Sequence, residues 1–563
     1  MIYHCEDHTC NYWDEGEKLP ERCPQCGRKL LRANEADMTG DDWTALGNTL
    51  WYAEASDKKR MVDCFRKAAY LGSAWGVCNL GICMEQGNGV EADPVQAFWL
   101  YQQAVEMGSL NAVCCLGVCY EHGIGTAPDA EKAAELYCKA AEYGSPRGQM
   151  LLAHAFHDGI GVEADAAEAV HWVRAAAYQR YGEGMHRLGV CYEYGDGVEQ
   201  NWEHAVHWFR EAAESGVSAA MTDLGYCYEK GCGVEQSWEQ AFSWYRRGAE
   251  CGYPVSMSNL GLCYKRGYGV EQNWQEAVKW YEQGAQCGHL QSMNNLACCY
   301  EDGEGVEQNE ERALYWYRRG AEAGSDYCMY CLGWNYSNGE GVEQNMTEAI
   351  RWYTAAAEGG NADAMHNLGW LYDHGEGVEQ DMKKAICWYE RAAEQNHPAA
   401  MNSLGECYAM GRGVPRDLET AMEWYRRAAE LGEAMADYNM GWHLEQAGKL
   451  SEAYAHYRKA ADGNDDSAWW ALGRFYENGV VVAQDGKEAR RCYETGEKLG
   501  SVKCKMRLAR CKLLGIGGRR EKKAGLDLCR QALELAKESS EKEDYGYEAE
   551  MNLLRRTIAE NES

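Results

Sequence analysis

The chain has 563 residues, with 88 Asp and Glu against 56 Lys and Arg, and a formal net charge of −32. So strong a negative balance opposes nucleic acid and anionic lipid, whose binding leans on Lys and Arg, and favours basic partner segments or simply solubility. No long uncharged apolar run is present to span a membrane, and Met1-Ile2-Tyr3-His4-Cys5 shows neither the basic nor the apolar region of a secretory signal.

Residues 1–32 read as a first domain. Cys5 and Cys10, a polar spacer, then Cys23-Pro24-Gln25-Cys26-Gly27 supply four thiolates in two short pairs. Such a set closes a tetrahedron around one metal ion. His8 competes with Cys5 or Cys10 for the fourth place. The cluster resembles a rubredoxin-like zinc ribbon, although four residues separate its first pair where that family normally has two. The resemblance implies one structural zinc ion, which in so small a unit contributes folding free energy. Redox-active iron is the alternative.

Residues 38–535 carry a single register. Leu-Gly or a close variant stands at Leu80-Gly81, Leu116-Gly117, Leu152-Ala153, and every 36 residues from there to Met440-Gly441. Outlying copies at Leu46, Leu472 and Leu508 bring the count to fourteen. A fixed period of this length predicts a solenoid, in which each unit buries its apolar face against its neighbours.

In the copy around Leu224, Ala220, Leu224, Cys227 and Tyr228 fall on one helical face. Gly231-Cys232-Gly233 makes the turn, and a second helix carries Ala241, Trp244, Tyr245 and Ala249. Thirteen residues after the repeat Leu stands an N-cap residue, as at Asp93, Asn201, Ser237, Asn345 and Asp485. Gly or Asn ends most copies, as at Gly216, Gly252 and Asn396. The glycine of the Leu-Gly pair marks a place where the second helix presses close.

These residues resemble the Sel1-like repeat, a relative of the tetratricopeptide repeat. The expected fold is all-α: an α-solenoid, a right-handed superhelix of about 14 helix-turn-helix repeats, preceded by the ribbon. Residues 536–563 are expected to form a capping helix and polar tail. Gln446-Ala447-Gly448-Lys449-Leu450 replaces the Gly-x-Gly-Val loop and is four residues shorter, and the first unit, Leu46 to Ala69, also lacks that loop.

Two columns account for unusual composition. Trp172, Trp208, Trp244, Trp280, Trp316, Trp352, Trp388 and Trp424 recur in the second helix and are expected in the inter-helix core. Cys83, Cys119, Cys191, Cys227, Cys263, Cys299, Cys407 and Cys511 follow the repeat Leu by three and are expected to be buried as small apolar residues. A secreted branch of the family pairs two cysteines per repeat. Here Cys227 and Cys263 have candidate mates at Cys251 and Cys287, but Cys191 and Cys299 meet Ser215 and Ala323. An odd total of 27 without systematic pairing suits a reducing cytoplasm.

No nucleophile elbow, phosphate loop, dinucleotide fingerprint or zinc-protease helix is present, so an enzyme is not expected. His154/His157 and His204/His207 have chelating spacing, but a solvated helix face explains them more simply.

The expected function is a protein-binding scaffold. In tetratricopeptide arrays the first helix lines the concave face. The resemblance therefore implies exposed positions two after and one before the repeat Leu. These hold Tyr226, Trp334, Trp370, Glu406 and Trp442, and Asn259, Asn295, Asn367 and Asn439. Aromatics give rigid anchoring area, and amides bond a peptide backbone from both ends. Glu193, Glu229, Glu301, Asp373 and Glu445 add acidity, so the partner is another protein or peptide with a basic segment, not nucleic acid or membrane. Padding of the inter-repeat core is the competing reading for Trp334, Trp370 and Trp442. A regulatory or effector module whose ribbon recognises the partner is the alternative function, and a rubredoxin-like redox protein a third.

Overall fold

The computed structural model describes residues 2–5, 13–15, 30–33, 35–51, 55–542 and 548–562. At the front, β1 (Ile2–Cys5) is central in an antiparallel sheet with β2 (Trp13–Glu15) and β3 (Leu30–Ala33), with Ile2 opposite Glu15 and Ala33. Cys5 ends β1, whereas His8, Cys10, Cys23 and Cys26 lie outside the described residues. Among the described residues from Gly40 onward the regular elements are all helices, paired as successive hairpins, and the chain divides into two units, Met1–Ser292 and Met293–Ser563.

One hairpin of the first unit shows how the sequence builds a repeat. The helix Ser218–Lys230 buries Ala220, Leu224 and Cys227 and stops at Gly231. A φ of +74° there lets the amides of Gly231 and Cys232 both return to the Cys227 carbonyl. The Gln236 side chain donates to the Glu229 carbonyl at 2.8 Å, closing the loop. Ser237 then accepts from the Gln240 amide and starts the helix Trp238–Glu250. The second turn glycine serves the joint between repeats. A Cβ on Gly233 would lie 2.4 Å from the Trp202 carbonyl oxygen, at the start of the preceding repeat's second helix.

The expected caps are in place. Asp93, Asp129, Asp165, Asn201 and Asn273 in the first unit, and Asn309, Asn345, Asp381, Asp417 and Asp485 in the second, each accept from an amide of the helix they open. Val481 departs: it occupies the second turn-glycine position with φ +65°.

The tryptophan expectation needs correcting. Only Trp316 of that column is buried; the other seven are half-buried. The core position is the next residue along, held by Tyr101, Tyr137, Tyr245, Tyr281, Tyr317, Tyr389 and Tyr425, all but closed to solvent. One residue turns a side chain by about 100° around the helix axis, which separates the two columns. The tryptophans lie at the edge of the core with arginines on their open faces: Arg247 over Trp244 at 4.3 Å, and Arg391 over Trp388 and Arg427 over Trp424 at 4.4 Å. The buried tyrosine explains the Leu-Gly pair. A Cβ on Gly225 would sit 2.6 Å from the Tyr245 ring.

The cysteine column is buried throughout, and burial pushes the Cys227 and Cys263 thiols up to about 12. Cys227, Cys251, Cys263 and Cys287 all carry free thiols. The two loop-less units are plain hairpins, Gly40–Thr49 with Ala55–Tyr70 and Ala434–Gln446 with Leu450–Asp462. At the far end the helix Lys522–Lys542 runs through the expected boundary at 536, and Glu548–Glu562 packs on Val502–Leu514, where Arg507 donates to the buried Glu550 at 2.7 Å.

Candidate protein-binding surface

In the second unit, Trp334, Trp370 and Trp442 stand on the first helices of their repeats, 45%, 36% and 40% exposed. A position two after the repeat Leu points about 200° away from it, so the packing that buries Leu332, Leu368 and Met440 turns these indoles outward. They therefore do not fill the core.

The asparagines one before the Leu are half-buried. Asn367 lies within hydrogen-bonding reach of Tyr330, Tyr353 and His366. Asn439 donates to Glu406 at 3.2 Å and to Asn402 at 3.0 Å, which brings two of the expected site residues together. Arg412 joins them to a neighbouring repeat, 3.8 Å from Glu406 and 2.8 Å from the buried Asp373. The result is a polar ladder across successive first helices. Arg412 was not among the expected residues, because it sits in the turn, where a solvent-facing role is the default. Asn295 is half-buried on the same face.

The first unit contributes Tyr226, 42% exposed with the Lys230 ammonium 5.8 Å from its ring centre, and the half-buried Asn259. It also holds a cavity of about 660 Å³ lined by Arg147, His154, His157 and His186. His154 pairs with Asp158 at 3.1 Å, and His157 with Asp196 at 3.2 Å. His204 and His207 lie against Tyr192 and Trp208. No group of three or more metal-binding side chains forms among the described residues.

The acidic column has a second role that spacing does not reveal. The Tyr245 hydroxyl donates to Glu229 at 2.8 Å, Tyr317 to Glu301 at 2.7 Å and Tyr457 to Glu445 at 2.7 Å. These carboxylates satisfy the one polar atom of these three tyrosines, sixteen residues on in the two full-length repeats. Glu193 is held above the ordinary carboxylate range by burial and by the nearby Asp223.

The family model for the Sel1 repeat matches the chain in thirteen successive stretches, from 76–109 and 112–145 through 290–325 to 468–501 and 502–537. Among solved structures the chain is similar to a protective antigen of uropathogenic Escherichia coli with an SLR fold: 28% identity, 76% of this chain and 94% of that one covered, TM-score 0.54. It is also similar to a Sel1 repeat protein from Oxalobacter formigenes, at 31% identity over 43% of this chain and 96% of that one, TM-score 0.40. An immunity protein from Pseudomonas aeruginosa is 20% identical over 38% of this chain and 81% of its own, TM-score 0.29. No curated protein matches the chain.

Proposed function

Because the chain belongs to the Sel1 repeat family, we propose that it is a scaffold whose first-helix face in the second unit docks a basic segment of another protein. Arrays of this class are generally protein–protein interaction scaffolds and typically non-catalytic. The observation that carries the reading is the row of exposed tryptophans, Trp334, Trp370 and Trp442, beside the Asp373–Arg412–Glu406–Asn439 ladder. Indoles cost little conformational entropy to fix and dominate binding where they are desolvated, while the acidic surroundings select cations.

A photo-cross-linking residue at position 370 tests this, with position 315 on the outer helix Glu310–Glu322 as control. The captured segment should be rich in Lys and Arg, and capture should fall as salt rises, since exposed charges are screened beyond roughly 10 Å at 0.1 M. Equal capture at position 315, or an acidic segment at 370, contradicts the reading. Trp370→Ala and Trp442→Ala should each weaken the complex by about 2 kcal/mol without early melting. Core residues would melt early instead.

We further place one structural zinc at Cys5, Cys10, Cys23 and Cys26, a four-thiolate donor set that suits zinc, with β1 ending at Cys5 and β3 following Cys26 in the chain. The free thiols at Cys227, Cys251, Cys263 and Cys287 favour a reducing compartment, the cytoplasm. No helix among the described residues is long and apolar enough to cross a membrane.

A further inference from the structure

Two repeats lack the buried aromatic ring, and they meet its loss differently. In the full-loop repeats the position 21 residues after the repeat Leu holds Tyr, or Phe at Phe209, except at Val173 and Cys529. Where the tyrosine is present its hydroxyl donates to the carboxylate five after the Leu, as Tyr101 does to Glu85 at 2.6 Å and Tyr245 to Glu229 at 2.8 Å. The Tyr245 ring lies against Gly225, and Cys263 of the following repeat stands near its hydroxyl. In the repeat of Cys529 the fifth residue is Leu513, which is closed to solvent and joins Cys529 in one apolar cluster. In the repeat of Val173 it is His157, whose side chain is 40% exposed.

A cavity of about 660 Å³ opens in that second case, within the size range of small-ligand sites. Its deep end is apolar, formed by the buried Ala153, Val170, Val173 and Cys191. Cys191 is the counterpart of the Cys263 beside Tyr245, so the cavity reaches the place a tyrosine occupies elsewhere. Ala153 is compatible with a ring, since Ala297 and Tyr317 are buried together at the same two positions. A carboxylate is at hand as well: Asp196 lines the cavity, 3.2 Å from His157 Nε2 and 3.7 Å from Arg187.

We infer that this cavity takes a tyrosine side chain from another protein, its ring lodged against Ala153 and Val173 and its hydroxyl donating to Asp196. The array thereby receives from outside the residue that its own repeat omits. A phenol suits the site better than a plain phenyl ring, because a carboxylate beside an apolar floor rewards a hydroxyl donor. A protein segment suits it better than a free phenol. The lining spans three successive first helices, Leu110–His122, Pro146–Asp158 and Gly182–Tyr194, which leaves room for main chain on either side of the ring. Arg147 and Arg187 line it too, with guanidinium donors for main-chain carbonyls. The site lies in the first unit and is separate from the tryptophan face of the second.

The test is methyl NMR on the full-length protein labelled with carbon-13 methyl methionine. Met150 lines the cavity, and its signal is identified with Met150→Leu. The probe is the blocked pentapeptide acetyl-Gly-Ala-Tyr-Ala-Gly-amide, compared with its phenylalanine counterpart and with p-cresol. The tyrosine peptide should move the Met150 signal saturably through its ring current. The phenylalanine peptide should bind about tenfold more weakly, the least that a hydrogen bond to a charged group is worth. p-Cresol should also bind more weakly than the tyrosine peptide, and Asp196→Ala should bring the two peptides to similar affinity. Val173→Tyr, which restores the ring from within, should abolish the response while keeping hydrogen-exchange protection across residues 146–181. If it lowers that protection, Ala153→Gly with Val173→Tyr copies the Gly225–Tyr245 pair and gives the same readout. A silent Met150 signal, equal affinity for the phenylalanine peptide or p-cresol, or an undiminished response in the folded Val173→Tyr protein overturns the inference. Cross-linking at position 370 reports separately on the docking face, so either reading can fail alone.

Discussion

Gly225→Ala sets two opposed effects against each other inside the helix Ser218–Lys230. On helix propensity alone, alanine gains about 1 kcal/mol over glycine. Its Cβ, however, would arrive 2.6 Å from Tyr245 Cε1 and 2.7 Å from Cδ1, where carbon atoms normally stay about 3.5–4.0 Å apart. The ring has nowhere to go: it is 1% exposed, and its hydroxyl is tied to Glu229 at 2.8 Å. Overpacking of this kind costs about 1–3 kcal/mol, and losing the bond to the carboxylate a further 1.5–3 kcal/mol if the ring is displaced. The chain contains its own controls. Ala153 faces Val173 and Ala509 faces Cys529 at the same spacing, both smaller than tyrosine. Ala297 keeps Tyr317, so a repeat whose helices are set for the pair accommodates both, which places the expected net loss near 1–2 kcal/mol. A repeat array does not unfold as one two-state unit, so the readout is hydrogen exchange in peptides from residues 218–253. Gly225→Ala should lower their protection. Adding Tyr245→Val, which copies the Ala153–Val173 pair, should cost less than the two changes summed. Protection unchanged or raised by Gly225→Ala would refute the view that the tyrosine ring occupies this place.

Val481→Gly should stabilise the repeat at residues 468–501. A β-branched residue at φ +65° is strained by about 1–2 kcal/mol, partly offset by the 0.5–1 kcal/mol that glycine loses in chain entropy. Val481 is 48% exposed, so little burial is forfeited, and lowered protection in peptides around 481 would count against the strain. His366 is pushed down to about 4 by burial and then by the neighbouring His397. The unfolded chain therefore takes up its proton first, and this repeat loses stability as pH falls from about 6.5 toward 4. His366→Gln should flatten thermal melts across that window, and an unchanged slope would dismiss the effect. Cys23→Ser or Cys26→Ser should bring zinc toward zero by elemental analysis with helicity retained. Unchanged metal rejects the ligand set, and loss in His8→Ala with retention in Cys5→Ser selects the histidine variant.

The parts of the fold legible in the sequence rest on backbone demands that few residue types meet. An N-cap needs a short acceptor, so Asp93 and Asn345 mark helix starts, and the left-handed turn at Gly231 marks a helix end. Trp244 and Tyr245 were not separable in the same way. Both are aromatic neighbours on one helix, and which of them faces the core depends on the seating of the partner helix, which spacing does not record. The acids were legible as a column, but their bonds to Tyr245 and Tyr317 join the two arms of a hairpin and become visible only when it is closed. The outward aim of Trp334 and Trp370 followed from register.

The joint at the second turn glycine carries a consequence for how such a chain changes length over generations. Gly125, Gly161, Gly197, Gly233 and Gly269 each close on the first carbonyls of the preceding repeat's second helix, at Pro94, Ala130, Ala166, Trp202 and Trp238. Every seam of this kind presents the same two surfaces. A gene segment duplicated or lost in multiples of one unit therefore yields ends that already match, and unequal recombination can lengthen or shorten the array without any new interface being invented. Gly448, in the short unit, has nothing within 4 Å of its Cβ position, so the interchangeable seam is missing there. Copy-number variants among natural relatives should accordingly gather on the full-loop repeats and leave the unit at Ala434–Asp462 single.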